Sequence, residues 1–312
     1  MKQITDQILM IRPASFRMNE ETAVNNFFQK STEELHATTN KKAQAEFDAF
    51  VEKLRNAGVE VHVVEDDPKL NTPDALFPNN WISFHENGNV ALYPMFAENR
   101  RRERREEVFL ALEKKGFEFN QIFDYTEAED DGVFLEGTGS LILDRTNRKA
   151  YCALSPRADE DLLIEFCEDF EYMPIIFTAN QDVNGKRLPI YHTNVMMCVG
   201  EEFAVICSAT IDDAKERKNV LQHLKDDGKE IIDITEAQMQ NFAGNMLQVK
   251  SAKSDATFLV MSQSARNALT QHQISQIEKY TQILSADLSC IETNGGGSAR
   301  CMMAEIFTPV KA

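Results

Sequence analysis

A cysteine, a histidine, a glutamate and several amides recur at corresponding places in this chain, and together they have the makeup of a thiol-nucleophile site. They are Asn79 and Asn80 in FPNNW, Glu136 in LEGTGS, His192 and Asn194 in YHTNV, Asn245 in AGNM, and Cys301 in NGGGSARCM. Each stands just ahead of a run of β-forming residues. Cys301 follows the turn Asn294-Gly295-Gly296-Gly297-Ser298, which predicts backbone N–H groups close to a substrate and an exposed thiol. The remaining cysteines, Cys152, Cys167, Cys198, Cys207 and Cys290, mostly sit in apolar runs such as VMMCV and AVICS and read as core thiols. No two of the six have CxxC spacing, which fits reduced thiols in a cytoplasmic protein. A Cys–His pair can also hold zinc, but the other candidate ligands lack metal-type spacing, so no metal is expected. EGTG and NGGG are too short and wrongly placed for a dinucleotide fingerprint, and no cofactor is expected.

The elements that must position these residues follow from a repeat. Strand-turn-strand units return roughly every 50 to 60 residues. The first is NNWISFHENGNVALYPM, turning at Glu86-Asn87-Gly88-Asn89, where Asn-Gly is a strong hairpin signal. The second is GSLILDRTNRKAYCALS, turning at Arg145 to Arg148. The third is NVMMCVGEEFAVICS, turning at Gly200 to Glu202, and the fourth is NMLQVKSAKSDATFLVMS, turning through Ser251 to Asp255. The fifth begins at CMMAEIFTPV and lacks a second run, which the N-terminal strand QILMIRPA is expected to supply.

Between the hairpins lie RRRERREEVFLALEKKG, ADEDLLIEFCEDF, DDAKERKNVLQHLKDDG and SARNALTQHQISQIEKY, with apolar residues near helical spacing. Gly116 and Gly228 suit helix C-termini. Short β-like runs such as EIIDI and LSCIE come next. Helix, strand, loop and hairpin repeated five times predict a five-bladed α/β propeller, one catalytic domain over residues 1–312, with the site loops converging on its axis. A doubly wound parallel sheet is the alternative, and repeated antiparallel hairpins weigh against it.

Acidic residues outnumber Lys and Arg enough to give a net charge of −17, which disfavours DNA or an anionic membrane as partner and favours a small molecule. No apolar stretch approaches the ~18 residues of a membrane span, and the N-terminal apolar stretch is too short for a signal peptide. The basic run Asn99 to Arg105, followed by acids, reads as a solvated helix start.

These segments resemble the pentein superfamily of guanidine-modifying enzymes, which includes arginine deiminase, dimethylarginine hydrolase and the amidinotransferases. The resemblance extends over nearly the whole chain. LEGTGSLIL is similar to the segment that holds the catalytic Glu, which implies that role for Glu136. YHTNVMM is similar to the segment with the acid/base His and a substrate-binding residue two positions later, implying those roles for His192 and Asn194. GGGSARCM resembles the nucleophile loop, implying Cys301. ALSPRAD is similar to the segment whose Arg binds the substrate carboxylate, implying Arg157, and Arg100 resembles a second such Arg. In deiminases the positions matching Asn80 and Asn194 are usually Asp, and two amides suit a neutral ureido group better than a guanidinium cation. FPNNW and NRRRERR together are most similar to bacterial amidinotransferase-like and citrulline-utilisation hydrolases.

The expected function is therefore a cysteine-dependent hydrolase that cleaves a C–N bond at the ureido or guanidino carbon of citrulline or an arginine-like amino acid, through a covalent thio-intermediate. Cys301 attacks, His192 moves protons, Glu136 holds substrate nitrogens, Asn79, Asn80 and Asn194 contact the ureido end, and Arg157 and Arg100 anchor the carboxylate. A deiminase or dimethylarginine-type hydrolase, an amidinotransferase to an amine acceptor, and a non-catalytic amino-acid binder are the alternatives.

Overall fold

The computed structural model describes residues 2–30 and 34–310. Its strands fall into five three-stranded sheets and one two-stranded hairpin. Each three-stranded sheet has the same pairing: a short first strand runs antiparallel to a central strand, which lies parallel to a third. Ile82–Phe84, Asn89–Leu92 and Gln121–Asp124 make one such unit. Leu141–Asp144, Lys149–Ala153 and Met173–Phe177 make the next. Met197–Val199 with Phe203–Ile206 and Glu230–Asp233, then Leu247–Lys250 with Thr257–Ser262 and Gln282–Ala286, repeat it.

The last unit is shared between the chain ends. Ala304–Glu305 pairs antiparallel with Gln7–Arg12, which lies parallel to Glu60–Glu65. All five expected hairpin partnerships are thus present, with turns where Asn-Gly, charged or Gly-containing segments occur between apolar runs. Asn87 and Gly88 take φ of 65° and 75°, the left-handed values for which an Asn-Gly turn is selected.

Helices join the central and third strands of each sheet. Glu160–Asp169 and Ala214–Asp226 begin at Asp159 and Asp213, whose carboxylates accept from the first free backbone N–H groups. Two expected helices are broken. Glu98–Arg101 and Glu106–Glu113 are separate because the chain turns to bury Arg100, and the basic run is not a solvated face. Gln263–Ala268 and Gln271–Ile277 are separated at Thr270, which starts the second with a capping box.

LSCIE is not a strand. Residues Ser289–Gly295 are helical, with Glu46 accepting from the N–H groups of Cys290 and Ile291, while the third strand is Gln282–Ala286. The sequence reading also passed over the helix His36–Asn56, which buries Phe47 and Phe50, and the hairpin Asn180–Val183 with Lys186–Pro189.

Four hydrophobic clusters fill the space between sheets and helices. In one of them Phe166 stacks on Phe170 at 4.8 Å and also meets Tyr93, Tyr125 and Tyr172. All six cysteines are free. Among the described residues no helix is long and apolar enough to cross a membrane. Phe166→Ala removes a fully buried ring from this aromatic group and is expected to lower stability by about 3–5 kcal/mol. Urea unfolding measures it, and a loss under about 1 kcal/mol would mean that the cluster does not carry the sheet.

Candidate active site

The first strand of each sheet is preceded by a turn, in four of the five a short helical one: Pro78–Asn80, Gly137–Ser140, Thr193–Val195 and Ala299–Met302. Gly244 and Asn245 take the fifth place, just ahead of Leu247–Lys250. Equivalent turns from successive sheets touch one another, so residues distant in sequence meet. Gly137, with φ of 45°, lets this happen: a side chain there would strike the backbone oxygens of Asn79 and Asn80.

Glu136 is fully buried. One of its oxygens accepts from the backbone N–H of Phe96 at 3.0 Å, and the other faces His192 Nε2 at 2.7 Å and Arg157 at 3.4 Å. Burial pushes its pKa up, yet Arg157, the His192 hydrogen bond and Arg100 together pull it well below the usual carboxylate range. An ionised Glu136 can only accept. His192 therefore carries its proton on Nε2 and keeps a lone pair on Nδ1. Burial lowers the His192 pKa to about 4 against the opposing pull of Glu136, so the ring is neutral near pH 7.

Cys301 is 3 % exposed, which corrects the expectation of an open thiol: the glycine-rich segment is pressed against Phe77 rather than swinging free. Its Sγ lies 3.2 Å from Asn245 Nδ2 and 3.4 Å from Asn194 Nδ2. Asn80 gives its Oδ1 to Arg100 at 2.8 Å, while its Nδ2 is buried without a partner. Arg100 in turn makes a two-pronged pair with Glu103, at 2.9 Å on both nitrogens. Asn79 is also buried, and neither side-chain polar atom has a partner among the described residues.

Arg157 donates to Glu136, to the carbonyl of Thr22 at 3.0 Å and to Asn25, and lies over the ring of Tyr191. The segment that carries Thr22 and Asn25 also reaches the glycine-rich loop ahead of Cys301. Asn26 and Gln29 donate to the carbonyls of Gly295 and Gly296, and Tyr191 donates to Gly296 at 2.6 Å.

Asn80, Arg100, Arg157, His192 and Cys301 line one cavity of about 10 Å³, smaller than an amino acid. A larger pocket of about 360 Å³ lies outside it, bordered by Arg17, Asn19, Asn99 and Asn294. Asp74 also lines the inner cavity and was missed in the sequence. It is buried, one oxygen accepts from Asn19 and Thr22, and the other has no partner among the described residues. Burial raises its pKa against Arg100, Asn19 and Arg157. Its place in TPDALFPNNW, just ahead of the two asparagines, was the available signal. Among the described residues no cluster of His, Cys, Asp and Glu has the makeup of a metal site.

A turn-borne Cys, His and Glu set above repeated mixed sheets is the hallmark of a pentein. The chain belongs to the family described as N,N-dimethylarginine dimethylhydrolase, eukaryotic, whose model matches residues 12–308. No curated protein sequence matches it. Among solved structures it is similar to ArgZ, an arginine dihydrolase from the ornithine-ammonia cycle in cyanobacteria, with 18% identity and a TM-score of 0.73 over 98% of this chain. The chain spans 41% of the length of that ArgZ structure, but 99% of the separate ArgZ N-terminal domain, at 18% identity and a TM-score of 0.72. It is also similar to a dimethylarginine dimethylaminohydrolase held as an adduct with S-methyl-L-thiocitrulline, at 13% identity and a TM-score of 0.64, covering 97% of this chain and 100% of that one. Identities this low establish a shared fold.

Two outcomes follow from this geometry. A side chain at Gly139 would meet Asn80 Nδ2 and the His192 ring, so Gly139→Ala is expected to cut turnover at least about tenfold while circular dichroism stays unchanged. Wild-type turnover would mean that the ring and amide can shift freely. The second concerns acid. Burial lowers the pKa of His62 and His192 from 6.5 to about 4, so between those values the unfolded chain takes up protons that the folded one refuses. Each histidine therefore lowers stability as the pH falls across that window, by up to about 1.4 kcal/mol per pH unit, while Glu103, whose buried carboxyl is raised to about 7, acts in the opposite direction. Urea midpoints of the wild type and of His62→Gln from about pH 7 to about pH 4.5 measure it, and a wild type that loses no more than the variant as the pH falls contradicts it.

Proposed function

We propose that this protein is a cysteine-dependent hydrolase of a C–N bond at the ureido carbon of a citrulline-like amino acid. One observation carries the choice of a neutral group: Asn80 has its oxygen tied to Arg100, so it can only offer N–H to the cavity. Arg100 has no acceptor to give, and the amide cannot flip without facing two donors together. An N–H donor suits a ureido oxygen and repels the NH₂ groups of a guanidinium.

The five three-stranded sheets are read as blades about a pseudo-fivefold axis, in one catalytic domain spanning residues 1–312. The contacts between successive turns support that reading. In it, Cys301 attacks the ureido carbon and the thiol proton passes to Nδ1 of His192. The resulting imidazolium is held by Glu136 and returns the proton to the departing nitrogen. His192 then takes a proton from water, which attacks the S-linked carbon and frees the thiolate. Substrate carboxylate replaces Asn25 on Arg157, and its ammonium meets the unpartnered oxygen of Asp74. Arg100 is already matched to Glu103 and Asn80, so its part is to aim Asn80. Six unpaired cysteines fit a cytoplasmic setting.

A second reading, hydrolysis of a guanidinium group as in an arginine dihydrolase, is favoured by Asp74. Its unpartnered carboxylate oxygen is suited to a cation in the same cavity.

Incubation with citrulline and with arginine, assayed for ornithine and ammonia, separates these readings. Citrulline is expected to give the higher kcat/KM, and turnover of arginine alone would overturn the ureido assignment. Cys301→Ala is expected to abolish turnover while keeping binding, and an active Cys301→Ala would end the covalent mechanism. Converting Asn80 and Asn194 together to Asp is expected to move the ratio of kcat/KM toward arginine by about tenfold or more, since charge-assisted hydrogen bonds are roughly twice as strong. An unchanged ratio in a folded, active double variant would remove the amides as the selectivity determinant.

A further inference from the structure

Among the described residues no cation lies within hydrogen-bond reach of the Cys301 sulfur. The polar atoms that approach it among the described residues belong to two asparagines: Asn245 Nδ2 at 3.2 Å, and Asn194 with Nδ2 at 3.4 Å and Oδ1 at 3.8 Å. His192 directs Nε2 at Glu136. The other titratable or charged groups that share the cavity are Asp74, Tyr191, Arg100 and Arg157, with Glu136 behind His192.

The orientation of Asn245 is determined by backbone groups on either side of it. Its Oδ1 accepts from the N–H of Arg300 at 3.0 Å, so the other atom is the NH₂. One hydrogen of that NH₂ goes to the carbonyl of Asn194 at 3.0 Å, and the second is left for Sγ. An amide that is completely buried and tied at both ends cannot rotate to offer the sulfur an acceptor. N–H groups aimed at sulfur favour the charged form, because a hydrogen bond to an ionised acceptor is stronger than one to a neutral acceptor.

We infer that Asn245 is a further catalytic residue of this site: its side-chain N–H donates to the sulfur of Cys301 and stabilises the negative charge that the sulfur gains as His192 takes its proton. His192 remains neutral and free to accept the proton that the thiol gives up. The inference rests on Cys301 being the nucleophile of the proposed reaction.

The test is the rate at which iodoacetamide alkylates Cys301, followed by peptide mass spectrometry across pH. In that reaction the thiolate forms an S–C bond and iodide leaves, so the rate follows the thiolate present. In Asn245→Ala the rate at about pH 7 is expected to fall about tenfold and to recover to the wild-type value at about pH 10, where the thiolate forms without help. Asn194→Ala, whose side chain has Cys301 as its hydrogen-bond partner, is expected to behave in the same direction and covers the case in which Asn245→Ala does not fold. An unchanged rate at neutral pH overturns the inference. So does a rate lowered by the same factor at every pH, since that is what a displaced loop alone would give. Hydrolysis assayed in Cys301→Ala keeps the two questions apart. Activity there sinks the covalent reading, whereas an inactive Cys301→Ala with pH-independent alkylation defects in the asparagine variants sinks only the role of Asn245.

Discussion

A carboxylate with no solvent contact, Glu136, has to be surrounded by donors, and most of the site is the means by which it is. Arg157 supplies the charge, His192 a ring N–H and Phe96 a backbone N–H. Each of these groups is then constrained in its turn. Arg157 is gripped by Thr22 and Asn25, and the same segment reaches the glycine-rich loop ahead of Cys301 through Asn26 and Gln29. The proton on His192 Nε2 follows from the charge on Glu136, so the ring presents its basic nitrogen to the other side. Removing one partner would leave an uncompensated buried charge, which is far costlier than losing an ordinary hydrogen bond.

Polar groups elsewhere in the cavity are handled by the same logic of donors and acceptors. Arg100 is neutralised by Glu103, and its remaining hydrogen bonds pin Asn80 as a donor. Asn245 is pinned as a donor by Arg300 N–H and the carbonyl of Asn194. Both amides gain a fixed direction from neighbours that have only one kind of hydrogen bond to give. The atoms left without partners, Asn80 Nδ2 and one oxygen of Asp74, lie in residues that line the cavity. An unpaired buried donor and an unpaired buried acceptor in one cleft are costly to the empty protein and favourable to a ligand that satisfies both.

The repeat explains why such residues can be gathered at all. Every module brings its chain through a turn just before its first strand, and in each module that turn supplies a polar side chain to the site. A thiol, an imidazole and amides on five short turns then need only small adjustments in each module to form a precise cluster. The contact between neighbouring turns leaves no room for side chains at Gly137 and Gly139, so close approach is built into the sequence.

Local chemistry made much of this readable from the chain alone. Alternating apolar residues around Asn-Gly, charged or Gly-containing turns specify hairpins over a few residues, and all five partnerships were legible, including the one that joins the two ends of the chain. The positions of Asn80, Glu136, His192, Asn194 and Cys301 were legible for the same reason, because each is set by its place before a hairpin. The breaks at Arg102 to Arg105 and at Thr270, the helix Ser289–Gly295 and the burial of Arg100 were not, since they answer to packing partners far along the chain. Asn25 and Asp74 likewise acquire their meaning only from Arg157 and Asn19, across separations of 132 and 55 residues. Periodicity and turn chemistry act between neighbours in sequence, so the sequence by itself determined the hairpins and which residue types stand before them. Which donor meets which acceptor, and which atoms are left without one, was decided by the tertiary structure, because only there do distant buried groups have to satisfy one another.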